Sequence, residues 1–425
     1  MQISDIHITP VAAPDPPLLN AAGLHAPYAL RLIVEIVSDD GLFGWGEIPG
    51  GEATRAALEL AASQLIGLDP WGLHAIDAVL EALAKPDERG ANPWDQRTSV
   101  HVRSAIEAAC YDLMGRSVGR PVVDLLGGAA RDRVPFSAYL FYKYEGAGGE
   151  FNFERDEAAT GWFAARGEAA LEPEGVVAQA RAMIAQYGFQ SIKLKGGVFE
   201  PQAEVDAILA LREAFGADMP LRLDPNAIWR VDTAIAAGKQ LEGALEYFED
   251  PVRGQENMAA VACALDIPLA TNMCTTSFAD LPGSVAHESE AIILSDHHFW
   301  GGFRATLGLA RFCAAFGRGL SMHSNSHLGI SLAAMVHLAA AVPNLTYDCD
   351  SHYPWQDGHD LLVEPLPFEA GAVTVPRSPG LGIEVDREKL AQLHQRYLAC
   401  GLTERDDEVE MQKVQPGWTF QATRW

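Results

Sequence analysis

FQSIKLKGG, residues 189–197, reads as a short β-strand running out into a glycine turn. Side chains alternate across a strand, so Lys193 and Lys195 share one face while Ile192 and Leu194 share the other. Two ammonium groups pointing into a mouth are not core packing. Five further segments end a strand-like run in a polar residue: LRLDPN at Asp224, EYFEDPV at Glu249, PLATN at Asn272, IILSD at Asp296 and MHSNSHLG at His323. The successive gaps from Lys195 are 29, 25, 23, 24 and 27 residues, about one strand plus one helix each. That repeat predicts parallel strands joined by right-handed crossovers, with the polar ends gathered at one mouth. Eight such segments, from VPFSAYLFY to LTYDCD, suit a closed barrel better than an open sheet, although periodicity alone does not decide closure.

The grammar is different before Arg133. Alternation through Arg31 to Ile36, the turn-forming Asp39-Asp40-Gly41 and a second apolar run predict a hairpin, preceded by a Pro-rich loop at 11–28. Helical periodicity follows in ATRAALELAASQLI and SVHVRSAIEAACYDLMG, with Gly115 as a stop, giving an α+β unit over residues 1–130. The barrel pattern occupies residues 131–360 and is interrupted early by a Gly- and acid-rich stretch from Tyr144 to Glu172. This stretch is an active-site loop or a tolerated surface insertion. Residues 361–425 hold a helix around DREKLAQLHQRYLACG and end in GWTFQATRW, apolar enough to pack on the body.

A net charge of -26 opposes adhesion to nucleic acid or anionic lipid, so neither partner is expected. Cys110, Cys263, Cys274, Cys313, Cys349 and Cys400 show no close pairing and read as reduced thiols, with Cys274 close to the expected mouth. No basic leader precedes a long apolar run and no 18-residue apolar span occurs, so a cytoplasmic protein, as a homo-oligomer, is expected. SIKLKGG lacks the GxxxxGK[ST] phosphate loop, which leaves nucleotide chemistry without support.

Asp224, Glu249 and the amide oxygen of Asn272 are hard oxygen donors and suit Mg2+ better than zinc. Glu256 is the alternative to Glu249, which is preferred because it ends a strand at the level of the others. Neighbouring ammonium groups depress each other's proton affinity, which fits Lys195 to act as a base. Asp296 is placed to orient the imidazole of His323 by a hydrogen bond, making His323 an acid or base opposite Lys195. Metal, lysine and histidine together suggest removal of a proton alpha to a carboxylate, followed by loss of a beta hydroxyl as water.

These residues resemble the enolase superfamily and, within it, the D-glucarate dehydratase family of the mandelate racemase-like group. The likeness runs through LLNAAGLHAPYALRLIVEI, RTSVHVRSAIEAACYDLMG, YLFYKY, LRLDPNAIW, ATNMCTT, SDHHFWGG, HSNSHLGISLA, DSHYPWQ, GLTERDD and PGWTF, nearly the whole chain. It implies a modified TIM barrel of the (β/α)7β type, with the N-terminal segment and C-terminal tail forming one cap. It also implies that Lys195 serves one face of the reacting carbon and His323 with Asp296 the other, with Lys193 and Asn272 near the substrate carboxylate. His25 and Thr98 become substrate contacts from the cap; Tyr142, Asn226, Ser324, Asn325, His352 and Arg405 bind the distal carboxylate and hydroxyls. The implied reaction converts D-glucarate, and its epimer L-idarate, to 5-dehydro-4-deoxy-D-glucarate. Loops such as Arg253-Gly254-Gln255-Glu256 select among diastereomers, so galactarate or another acid sugar is the alternative substrate. A racemase and a non-catalytic acid-sugar-binding protein are the other readings.

Overall fold

Seven parallel strands form one sheet hydrogen-bonded in chain order: Ala138–Phe141, Ile192–Lys195, Leu221–Asp224, Tyr247–Glu249, Leu269–Thr271, Ile292–Ser295 and Gly319–Met322. This computed structural model describes residues 1–146, 158–356 and 358–425. The eighth segment, LTYDCD, closes the circle without becoming a regular strand. Asp350 N donates to Met322 O at 2.9 Å on one side, while Cys349 N donates to Pro135 O and Ser137 N to Cys349 O, both at 2.9 Å, on the other. A modified (β/α)7β barrel results, its seven strands continuous and its eighth position a seam. Ile192 and Leu194 face the surrounding apolar shell and Lys193 and Lys195 face the interior, as alternation requires.

The crossover helices begin and end where local chemistry dictates. Pro173–Tyr187 and Pro201–Phe215 open on proline, whose missing N–H costs nothing at a helix start. The last crossover helix, Gly329–Ala341, is buried at every residue, because it lies between the barrel and the cap strand Phe43–Pro49. Its all-round apolar sequence, GISLAAMVHLAAA, suits that position.

The cap carries a three-stranded antiparallel sheet of Ile3–Pro14, Tyr28–Ser38 and Phe43–Pro49, with the hairpin at Asp39-Asp40-Gly41. The Pro-rich loop is shorter than its composition suggests, because the first strand stays paired as far as Pro14 opposite Tyr28. It is an edge strand, where the absent N–H of Pro10 and Pro14 is tolerated. The helix Thr98–Val118 runs through Gly115 and stops at left-handed Gly119. Gly115 is there for room, since a Cβ would stand 2.7 Å from Arg120 O and 2.8 Å from Gly380 Cα.

The C-terminal helix Arg387–Cys400, N-capped by Asp386, packs on Ile3–Pro14, and Arg387 forks onto Glu35. Arg424 reaches back to Ala21 O at 2.7 Å and Gly197 O at 3.0 Å. Of the stretch 144–172, residues 147–157 lie outside the described residues. The remainder holds a short helix, Trp162–Ala165, and a bridge from Lys143 to Ala170. Among the described residues no helix is long and apolar enough to cross a membrane.

Candidate active site

The barrel interior below the mouth is a buried charge cluster. Lys193 Nζ lies 2.6 Å from both Glu249 Oε2 and Asp350 Oδ2 and 3.8 Å from Asp224 Oδ2, while Lys195 Nζ lies 2.6 Å from Asp224 Oδ2. Three carboxylates therefore face two ammonium groups. Burial alone would push Lys193 toward neutrality, but Asp350 and Glu249 overturn it and hold the group protonated. The expected mutual weakening of the two lysines is thus reversed at Lys193 by carboxylates that surround it. Glu249 is driven well up, chiefly by burial and then by the neighbouring Asp224 carboxylate, with Lys193 opposing.

Asn272 enters the same cluster from the next strand, its Nδ2 3.2 Å from Glu249 Oε1. Its Oδ1 is buried with no hydrogen-bond partner, an open donor beside two carboxylates. Among the described residues no three His, Cys, Asp or Glu side chains form a metal-holding group. Two carboxylates and a carboxamide are nonetheless hard oxygen donors, and a divalent cation would satisfy both the orphaned oxygen and the surplus charge. Glu256 is exposed in the first turn of Gln255–Ala264, whereas Glu249 is wholly buried, so the structure brings Glu249 and not Glu256 to Asp224 and Asn272. Strain marks the same level: Asn226, Ala227 and Asp250 hold φ of 57°, 59° and 36°, and Ala227 N donates to Asp250 O.

Above the cluster lies a small cavity lined by Lys195, His323, Ser324, Asn325, His25, His352 and Arg405. His323 is almost completely buried, and burial, then Lys193 and Lys195, push its pKa well below the usual histidine range; the ring is neutral at rest. Arg405 arrives from the C-terminal tail, its guanidinium carbon 4.4 Å from the centre of the Trp94 ring, and is clamped bidentately by buried Asp407 at 2.6 and 2.8 Å. A solvated surface pair does not have this geometry. His25 is oriented by Asp15 at 3.0 Å, and Ser324 Oγ accepts the His352 amide at 3.0 Å. Asn226 stays at the cluster, its Nδ2 donating to Asp224 Oδ1.

Four expectations change. Asp296 does not hydrogen-bond His323: its Oδ1 accepts the Phe299 amide at 2.7 Å, its Oδ2 lies 3.7 Å from His298 Nδ1, and His323 Nδ1 has no partner. The local turn wins because an amide three residues on is the nearest donor. Tyr142 leaves the site, packing edge-on against Phe199 at 4.9 Å and lining no part of the cavity. The tyrosine at the mouth is Tyr139, opposite Lys193 in register, its ring 4.9 Å from Lys193 Nζ and its hydroxyl unpartnered. Thr98, the first residue of its helix, lines an adjoining cavity that shares Trp94, Asn325, Ser326 and Arg405 with the one holding Lys195 and His323, and does not line the latter itself. Cys274 is half-buried beside Val252 and Gly254 and does not line the cavity.

Tyr139 and Asp350 were both within reach of sequence reasoning. Counting back by two along the strand before Lys143 puts Phe141 and Tyr139 on one face. Asp350 ends the eighth segment in the same way that Asp224 and Glu249 end theirs.

Comparison with known proteins identifies the relatives of this chain. Residues 6–127 match the family described as mandelate racemase / muconate lactonizing enzyme, N-terminal domain, and residues 175–389 match enolase C-terminal domain-like. The chain is 45% identical to a Streptomyces coelicolor protein named "Probable glucarate dehydratase", covering 100% of this chain and 99% of the other. A solved enolase from Thermobispora bispora, complexed with magnesium and formate, superposes with a TM-score of 0.92 at 49% identity over 99% of both chains. Another from Pseudomonas fluorescens, with bound magnesium, potassium and tartrate, gives 0.91 at 45% identity over 99% of this chain and 98% of that one. The chain belongs to the enolase superfamily, with the N- and C-terminal domains of its mandelate racemase-like members.

Proposed function

We propose that this protein is a magnesium-dependent acid-sugar dehydratase that converts D-glucarate to 5-dehydro-4-deoxy-D-glucarate. The observation that carries it is one cavity lined by both Lys195 and His323, directly above the Asp224, Glu249 and Asn272 oxygens. The full-length relative named for glucarate and the tartrate-bound neighbour, tartrate being a short dicarboxylate, support the substrate class.

Asp224, Glu249 and Asn272 would hold the magnesium ion, which supplies positive charge to the substrate carboxylate beside the reacting carbon. Lys193, kept protonated by Asp350 and Glu249, adds a fixed positive charge where the enediolate develops. Lys195, as the neutral amine, removes the alpha proton to give the enediolate, whose electron pair then forms the C=C bond as the beta C–O bond breaks. His323 delivers a proton to the departing hydroxyl, giving water, and the enol ketonises to the 2-keto acid. A dicarboxylate entering the cavity brings negative charge that offsets Lys193, raising the proton affinity of His323 when it must act as an acid. Arg405, His25, His352 and Asn325 hold the distal end, so a single-ended acid would be poorly oriented.

Both proton-transfer groups at one cavity also favour epimerisation with L-idarate, His323 working on the face opposite Lys195. Incubation with a panel of aldarates and magnesium, read by 2-keto acid formation, tests the assignment. Glucarate turnover is expected, with Lys195→Met and His323→Gln each losing about 1,000-fold or more. Turnover of galactarate with none of glucarate would overturn the substrate, and binding without turnover of any aldarate would overturn the reaction.

A further inference from the structure

The loop that carries His323 is held from outside the barrel. Glu47, in the cap strand Phe43–Pro49 and 1% exposed, accepts the Leu328 amide with Oε1 and the Ser331 amide with Oε2, both at 2.8 Å. These amides belong to the first turn of Gly329–Ala341, which has no side-chain cap of its own. Glu47 therefore caps this helix across the domain boundary, with its negative charge at the positive end of the helix dipole. Arg31, on the neighbouring cap strand, bonds Glu47 Oε1 through Nε at 2.8 Å and Asn325 Oδ1 through Nη1 at 3.1 Å. Because the guanidinium can only donate, it fixes the Asn325 amide with its oxygen toward Arg31 and its NH2 available to the cavity that Asn325 lines.

We propose that Arg31 and Glu47 are positioning residues that set the 323–328 loop, and hence His323 and Asn325, for chemistry on one face of the substrate. The inference rests on the reading of Lys195 and His323 as groups serving opposite faces. Among the described residues neither side chain hydrogen-bonds the strand Ile192–Lys195 that carries Lys195, so the two faces should respond differently.

The test uses the full chain with magnesium in D2O and follows deuterium entry at the alpha carbon of D-glucarate and L-idarate separately. Glu47→Gln keeps the size and one acceptor, and Arg31→Lys keeps the charge but loses the fork. Each is expected to slow exchange on the His323 side about tenfold or more, while exchange on the Lys195 side stays within about twofold. Equal loss on both faces, or no loss on either, would overturn the proposal. Hydrogen exchange of residues 323–331 gives a readout that needs no turnover: faster exchange there in Glu47→Gln, with the barrel strands unchanged, is expected, and unaltered exchange overturns the anchoring. If wild type exchanges no alpha proton yet the loop loosens in the variant, the dehydratase reading falls and the anchoring stands. Should Glu47→Gln fail to fold, Arg31→Lys and wild-type exchange with and without tartrate decide the matter. Protection of 323–331 and of 43–49 is expected to rise together on binding, and independent behaviour would overturn the proposal.

Discussion

Tyr139 and Tyr142 differ only in which way the chain turns them, and that difference decides what each can do. Both hydroxyls are buried and unpartnered, but Tyr139 shares a barrel face with Lys193 and lines the cavity, whereas the Tyr142 ring packs against Phe199 and does not line it. A buried hydroxyl lacking a partner costs free energy unless something else satisfies it, and a substrate hydroxyl or carboxylate can. Tyr139→Phe is therefore expected to lower kcat/KM about tenfold and Tyr142→Phe to leave it within about twofold, read by steady-state assay on the preferred aldarate. Equal effects would mean that the face assignment is wrong. Lys193 permits a separate test. It is enclosed by Glu249 and Asp350 at 2.6 Å, so removing it strands two carboxylates in the interior. Lys193→Met should lose about 3–5 kcal/mol of stability by denaturant unfolding, and retention of full stability would show that the cluster is not paired as described.

At the scale of elements, the turn after Ile192–Lys195 shows how a loop fixes a catalytic height. Gly197 holds φ +73°, and a Cβ there would stand 2.4 Å from Pro225 O, the carbonyl directly after Asp224. Glu204, in the helix that follows, takes the amides of Gly197, Val198 and Phe199 at 2.7 to 3.0 Å, so the turn has little freedom to move aside. Gly197→Ala should destabilise the protein by about 2 kcal/mol or more and reduce turnover beyond that loss, because Lys195 and Asp224 flank the contact. A variant of wild-type stability and activity would refute the tight approach. Elements of this kind were legible in the sequence because barrel strands announce themselves through period and terminal polar residue. Lys195, Asp224, Glu249, Asn272 and His323 come together for that reason. The side-chain direction of Asp296 was not legible, since it depends on whether the Phe299 amide or the imidazole is closer after folding. The cap's hold on the loop was beyond sequence reasoning altogether: Glu47 and Leu328 stand 281 positions apart, and no local pattern encodes their meeting.

Three distant parts of the chain meet at His337, which ties the stability of the whole molecule to pH. On the buried helix Gly329–Ala341, its Nδ1 accepts the Val123 amide at 3.2 Å and its Nε2 donates to Leu381 O at 3.0 Å. Only a neutral ring can make both bonds, and burial pushes its pKa down to about 4. The unfolded chain takes up this proton near pH 6.5, so between about pH 6.5 and 4 the unfolded state binds more protons and stability falls as the pH falls. Across that window His337 alone accounts for roughly 3 kcal/mol. His297, His298 and His327, all buried and pushed well below the usual histidine range, act with the same sign. Glu204 and Asp296, each raised by burial to about 7, act oppositely, gaining stability on acidification from about pH 7 to their unfolded values near 4. The raw pH profile of the protein thus mixes two signs, and the difference between wild type and His337→Gln separates them. The variant loses the titration but keeps a donor and an acceptor at the junction. Its denaturation midpoint should fall less steeply than that of wild type from pH 6.5 to 4, with the two curves parallel above pH 7. Parallel curves throughout would show that His337 does not carry the acid sensitivity.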